Sequence, residues 1–440
     1  MSLFSPSRQT ALAALFIFGF SAHLIAEAVR RFFLYSNSTY LIADIVLVGA
    51  ACCSVAISSI RIDRSVGVLL FCYVMWGIFS LLVNEGSSLL LLVGVRPIIL
   101  ALAGFVLAEI MFRVHSKPDG VFFNTCGAWT LVILAVAIAQ IFAGVDAAIN
   151  QLPADAGVEG GGRGDYGANG VFLEWLFRPT SIFMHTGRLG QFAFFLSVVA
   201  CLRLFMTEKA SFTPRVYALL AIVLVIVSGQ RAAGVFLLIS CALGIAKFGS
   251  REILVRSISI MVVVLVAATF VPGDARDVIL GRFASGFTGG IDRAVETTQY
   301  WETGLWKFPV FGMGLGFFSF GALPFGGAIY YEYMPRFGGG GENSWLRVQG
   351  EVGFPGFVMF LGVITMIVLK SYRRAFTDNN TEARVIHLAS LMFALSTGIW
   401  ALTHDVFGNY LHLFGLFVLF GASCGLASRR YGDISLSGAE

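Results

Sequence analysis

Long apolar runs alternate with short polar connections along the whole chain. The runs fall near 11–28, 40–60, 66–83, 88–111, 121–144, 182–206, 213–229, 231–247, 252–271, 346–369, 385–403 and 409–427. Each approaches the roughly 20 apolar residues that a membrane-spanning helix requires. The pattern predicts an all-α polytopic membrane protein of about twelve transmembrane helices, with residues 1–440 forming one integral membrane domain. The first run is followed by Arg30 and Arg31 and lacks a small-residue cleavage site. It therefore reads as a retained span rather than a signal peptide. Two polar stretches are longer than connectors need to be. Residues 145–180 carry the glycine-rich stretch Gly157–Gly170, with Asp146, Asp155, Glu159, Asp165 and Glu174. Residues 272–345 lie between the ninth and tenth runs and are rich in Trp, Tyr, Phe, Gly and Arg. Loops of such length are usually functional. Residues 428–440 read as a cytoplasmic tail, short, polar and disordered after Arg430.

Composition narrows the class. Hydrophobic residues make up 57% of the chain and charged residues only 13%, against about 25% charged in a typical soluble domain. A soluble enzyme, a nucleic-acid-binding module and a disordered protein are all excluded by that balance. The seven cysteines (Cys52, Cys53, Cys72, Cys126, Cys201, Cys241 and Cys424) all lie in apolar runs. They read as small buried hydrophobes, with neither a disulfide framework nor a zinc site.

Positive charge sets the expected orientation. With the N-terminus in the cytoplasm, the inner segments hold Arg8; Arg61 and Arg64; Arg113 and Lys117; Arg203, Lys209 and Arg215; Lys247, Arg251 and Arg256; Lys370, Arg373, Arg374 and Arg384; Arg429 and Arg430. These are more than half of the chain's 30 Lys and Arg. The bias places both termini in the cytoplasm and both long loops, 145–180 and 272–345, outside. Arg30 and Arg31 run against it.

Several charges sit where they are costly. Arg231, in VSGQRAAGVF, lies in a connection of a few residues at the outer surface. The helix that follows offers free N–H groups and a positive dipole end, which together with a guanidinium favour a phosphate. Snorkelling to the interface explains the same residue without a function. Arg178 and Arg188 bracket the start of the sixth run, with His185 between them. Arg188 falls inside apolar sequence, so it should face the bundle interior, an aqueous cavity or a partner. Arg96 and Asp44 are also intramembrane charges, and a structural pairing between them competes with a site role.

In the long second loop, Arg276, Arg282, Lys307, Arg336 and Arg347 read as ordinary solvated or salt-bridged charges. Arg293 is set apart by the aromatic and glycine-rich run that follows it. Gly312, Gly314 and Gly316 resemble a nucleotide loop only superficially, because no strand or crossover unit precedes them. A tight turn feeding back into the membrane is the simpler reading. Glu342 and Asn343 close the run Gly338–Gly341, and Glu351 follows as the tenth run begins. A carboxylate at such an interface can act as a base, and a place beside a helix cap is the plain alternative for Glu342. His404 and Asp405 lie on the outer side between the last two runs, where they either orient one another or mark the interface.

Taken in order, these segments resemble one family. The elements are an Arg-bearing entry to the sixth span (Arg178), SGQRAAG around Arg231, and Arg293 ahead of PVFGMGLG at Pro309–Gly316. The last is ENSWLRVQGEVGFPG at Glu342–Gly356. The set is similar to the superfamily of bacterial O-antigen ligases and Wzy-type polysaccharide polymerases, over roughly residues 170 to 427. The resemblance implies a C-type glycosyltransferase of the bacterial inner membrane, acting on an undecaprenyl-pyrophosphate-linked glycan at the periplasmic face. It implies no cofactor, no metal and no nucleotide sugar. The partners it implies are membrane lipids, the lipid-linked glycan, a flippase and a chain-length regulator, with no nucleic acid.

By motif, Arg231 and Arg293 would clamp the pyrophosphate, Arg178 would bind pyrophosphate or sugar, and Glu342 would be the base. Arg188, Asn343, Glu351, His404 and Asp405 complete the substrate-binding set. Trp301, Trp306, Tyr330, Tyr331 and Trp345 are candidates for stacking on sugar rings, and interfacial anchoring explains each equally well. Ligases typically carry His where Glu342 stands, a departure that favours a polymerase. A ligase handing glycan to lipid A–core is the alternative. A non-catalytic glycan-lipid transporter is the rival from another class, although transporters concentrate polar groups near the midplane.

Overall fold

A computed structural model describes residues 5–33, 37–58, 60, 62–144, 147–150, 179–183, 186–206, 212–248, 310–319, 343–402 and 404–437. Among the described residues there are eleven α-helices: α1 (Pro6–Phe32), α2 (Asn37–Ser58), α3 (Arg64–Val83), α4 (Ser88–Val114), α5 (Pro118–Ala143), α6 (Thr186–Met206), α7 (Phe212–Ser228), α8 (Arg231–Phe248), α9 (Ser344–Thr377), α10 (Thr381–Trp400) and α11 (Tyr410–Ser437). No strand occurs among them. Nine of these helices contain windows long and apolar enough to cross a membrane, while the apolar parts of α7 and α8 are shorter. The protein is a helical, multi-pass membrane protein. Lipid offers no partners for backbone polar groups, so runs of this length must satisfy them within helices. Eleven of the twelve expected runs coincide with helices. The run at 252–271 lies outside the described residues, as do most of 145–180 and 272–345.

Local chemistry starts several helices. Pro6 and Pro118 stand in the first turns of α1 and α5, where a missing N–H costs nothing. The Asp63, Ser87, Asn343 and Asn380 side chains accept backbone N–H groups at the starts of α3, α4, α9 and α10. The helices run alternately between two faces. On the N-terminal face, Lys370 Nζ donates to Asp63 Oδ2 at 2.7 Å, and the Ser116 amide donates to Gln9 Oε1 at 3.0 Å. Burial alone would raise the Asp63 carboxyl, but hydrogen bonds from Lys370 and Ser65 hold it down at about 2. On the far face lie the end of α1 and the starts of α2, α4, α6, α8, α9 and α11.

Helices α4 and α11 form the most extensive pair. Gly421 and Gly425 let α11 approach the α4 backbone at Phe105 and Glu109, the small-residue contact that membrane helices favour. Helix α9 is broken at Gly353 (φ 65°, ψ −172°), two residues before Pro355. The carbonyls this break releases are taken up by other segments. The Met313 and Gly314 amides donate to Gly350 O and Glu351 O, both at 2.8 Å. Trp76 Nε1 donates to Val352 O at 2.7 Å. Residues 310–319 are therefore a turn wedged among α3, α4 and α9. Gly316, at φ +88°, lies against Leu90 O and Gly94. A Cβ at Gly353 would land on the Val310 carbonyl, and φ is positive there. Gly353→Ala is expected to destabilise the protein by about 2–4 kcal/mol, combining backbone strain with overpacking. A melting curve of the detergent-solubilised variant checks this, and an unchanged midpoint would contradict it.

Two expectations need correction. Helix α11 runs through Ser437, so most of the segment expected as a disordered tail is helical. Cys52, Cys53 and Cys72 are exposed on helix surfaces rather than buried, where lipid substitutes for core. Arg31 is buried and donates to Thr180 Oγ1 at 3.2 Å and Ile149 O at 3.4 Å. It staples the end of α1 to two loop segments, which accounts for basic residues on the side that the charge bias disfavours.

Candidate functional site

Two polar clusters occupy the far face. The first joins α1, α2, α4, α6 and α11. His23, Glu27 and Arg31 recur at intervals of four on α1 and so share one face of it. Glu27 is fully buried and Arg188 NH1 donates to its Oε1 at 2.7 Å. Tyr410 donates its hydroxyl to the same oxygen at 2.8 Å, and Arg188 NH1 also donates to Tyr40 Oη at 3.0 Å. Beside this pair, Arg96 grips Asp44 with both arms of its fork, Nε to Oδ2 at 2.6 Å and NH2 to Oδ1 at 3.0 Å. The two tyrosine rings carry the guanidinium groups. Arg96 lies 5.2 Å from the Tyr40 centroid and 4.9 Å from that of Tyr410, and Arg30 lies 4.6 Å from Tyr40. His23 Nε2 approaches Asp44 Oδ1 at 3.4 Å without a hydrogen bond.

The second cluster is centred on Arg347, one turn into α9. Its Nε donates to Glu351 Oε1 at 3.2 Å, its NH2 to Ser319 Oγ at 2.7 Å, and its NH1 to Asp405 Oδ2. Glu351 Oε1 also accepts the Phe318 amide at 3.2 Å. Asp405 Oδ1 accepts the Ser344 hydroxyl at 3.1 Å and the Gly408 amide at 2.9 Å. One guanidinium thus fastens the 310–319 turn, the start of α9 and the segment leading into α11. Each carboxylate has several donors, so the cluster is closed on itself.

The expected site residues divide accordingly. Arg188 faces the bundle interior and is paired, and the Arg96–Asp44 pair is present. Arg231 opens α8 on the far face after the two-residue connection Gly229–Gln230, and its side chain lies outside the described residues. Arg178, His185, Arg293 and Glu342 lie outside them altogether. Five of the expected residues have contacts within the protein itself. Asn343 spends its side-chain oxygen on the Trp345 and Leu346 amides at 2.9 and 3.1 Å, which makes it a helix cap. Glu351, which is buried, and Asp405, which is half-buried, are both ion-paired with Arg347. His404 contributes its carbonyl to Ser344 Oγ at 3.0 Å, while its ring lies 5.8 Å from that of Trp400. Trp345 is buried against Phe357, Phe360 and Phe407, with its Nε1 on Gly398 O at 2.8 Å, and cannot stack on a sugar.

Sequence reasoning missed Arg347, Glu27, Tyr40 and Tyr410. An acid inside the first apolar run is itself a signal, because an unpaired intramembrane carboxylate is costly. For Arg347 the sequence shows only the helical i,i+4 spacing to Glu351, since Ser319 and Asp405 lie 28 and 58 positions away. Compared with known protein families and with curated proteins, the sequence matches none.

Proposed function

We propose that the protein is a metal-independent polymerase of the bacterial inner membrane, joining undecaprenyl-pyrophosphate-linked oligosaccharide repeat units into a surface polysaccharide. The far face would be periplasmic and both termini cytoplasmic. The observation that carries this reading is a part-exposed guanidinium on the far face of the bundle, that of Arg188, which stands over the buried Glu27. Arg231 opens α8 on that same face. Chemistry on a lipid pyrophosphate needs cations at one membrane surface, where the leaving group gains negative charge as its glycosidic bond breaks.

In this reading Arg231 and Arg293 clamp the leaving pyrophosphate through bidentate hydrogen bonds, Arg178 binds pyrophosphate or sugar, and Glu342 takes the proton of the acceptor hydroxyl. The attacking oxygen forms the new glycosidic bond, and the donor's pyrophosphate leaves with the electrons of the old one. Glu342, where ligases have His, favours a polymerase over a ligase. Glycan analysis of a deletion strain tests the function. Lipid-linked single repeats are expected, whereas long polymer that is merely unattached would identify a ligase. For the topology, Ser285→Cys in a cysteine-free background is expected to react with an impermeant thiol reagent in intact spheroplasts. Labelling only after the inner membrane is opened would refute the orientation.

A further inference from the structure

We infer that Cys201 and Cys241 form an intramembrane dithiol, which an alkyl hydroperoxide of the bilayer oxidises to a disulfide fastening α8 to α6. The inference is independent of the polymerase reading.

Helix register brings the two thiols together. Helices α6 and α8 both start on the far face and pack side by side. Near that end Gly190 lies against Gln230, so closely that a Cβ on the glycine would collide with Gln230 Cβ. The Gln230 carbonyl accepts the Gly234 amide at 3.3 Å, so the helical path of α8 includes it. Cys201 and Cys241 each lie eleven residues further along. Eleven residues make about three turns and about 16 Å of rise, so the same two faces meet again at the same level. Between these contacts Phe194 of α6 meets Phe236 of α8, with ring centroids 6.5 Å apart. Ala233 and Leu237, at intervals of four before Cys241, are buried on the same stripe of α8. The two thiols are hydrogen-bonded to each other, and both are free.

Exposure separates their roles. Cys201 is 1% exposed, whereas Cys241 is half-buried, one turn from the exposed Leu238. An oxidant dissolved in lipid therefore meets Cys241 first, and Cys201 stands behind it as the resolving thiol, the arrangement of a redox-sensing pair. The thiolate is the attacking form, and an S–H beside the sulfur favours it by donating a hydrogen bond.

The chemistry takes two steps. Cys241 Sγ attacks one peroxide oxygen. The O–O bond breaks, and the alkoxide leaves with the electron pair and takes up the Cys241 proton to become an alcohol. Cys241 is then a sulfenic acid. Cys201 Sγ attacks that sulfur, the S–S bond forms and the S–O bond breaks. Hydroxide leaves and takes up the Cys201 proton to become water. The two thiols lose two electrons and the hydroperoxide gains them. The disulfide pins α8, which Arg231 opens, to α6, which carries Arg188.

The test treats the purified full-length protein in lipid nanodiscs with cumene hydroperoxide, alkylates the remaining thiols after denaturation and maps the peptides. The wild type is expected to yield a crosslinked peptide pair containing Cys201 and Cys241, lost when dithiothreitol is added before alkylation. The exposed Cys52, Cys53 and Cys72 should remain outside it. Cys201→Ser removes the resolving thiol, so Cys241 should be trapped by dimedone as its sulfenic acid. In Cys241→Ser, Cys201 should carry roughly tenfold less dimedone, because susceptibility follows exposure. The crosslink is read in the wild type and does not depend on either variant folding. Its absence, or a disulfide joining other cysteines, would overturn the pair. Equal dimedone on Cys201 in Cys241→Ser would overturn the division of roles. Aqueous hydrogen peroxide giving the same yield at equal dose would overturn the bilayer as the source of the oxidant. Failure of the polymerase reading would show instead in the deletion strain, with the crosslink unaltered.

Discussion

Glu342→Gln is expected to slow polymer formation by about 10²- to 10⁴-fold, the usual contribution of a positioned general base, with donor binding largely retained. The amide keeps the shape of the carboxylate and removes its basicity. Glu342 follows four glycines, Gly338–Gly341, and directly precedes Asn343, the residue that caps α9. The cap ties the chain at Asn343, the residue after Glu342, to the far face. Glu342→His should retain some turnover, because imidazole can accept the same proton. The assay is initial-rate polymerisation of lipid-linked repeats by purified enzyme. A near wild-type rate for Glu342→Gln would remove it as the base. Glu351 and Asp405 are poor replacements, because both are already held by Arg347.

Arg188→Leu is expected to destabilise the fold by about 3–5 kcal/mol, the cost of leaving a buried carboxylate without its cation. The uncompensated group is Glu27, which is fully buried with Arg188 at 2.7 Å. Glu27→Gln should cost less, since the amide can still accept from Arg188 and Tyr410. Glu27→Gln/Arg188→Leu together should recover much of the loss, because no charge is then stranded. Unfolding of the four proteins in one detergent, followed as a double-mutant cycle, measures the coupling. Costs that simply add would show that the two charges do not depend on each other. The expected coupling also means that lost activity in Arg188 variants has to be corrected for lost fold before it is read as lost substrate contact.

Most of the architecture is legible in the sequence because a bilayer enforces it. An apolar run of about twenty residues must satisfy its own backbone, so the eleven helices among the described residues follow directly from where the runs lie. The cost of an intramembrane charge made Arg188 and the Arg96–Asp44 pair visible by the same logic. Partner choice was not visible. Arg347, placed among ordinary loop charges, is the centre of a cluster because the turn at 310–319 and the segment 404–409 are folded against the start of α9. That proximity is created by the break at Gly353 and the amides that fill it. The same packing makes Asn343 a cap, buries Trp345 and pairs Glu351 and Asp405 with Arg347. Hydrophobicity acts locally along the chain and determines where helices form. Which buried charges meet, and which retain unused hydrogen-bonding capacity as Glu27 and His23 do, is decided only when distant helices pack.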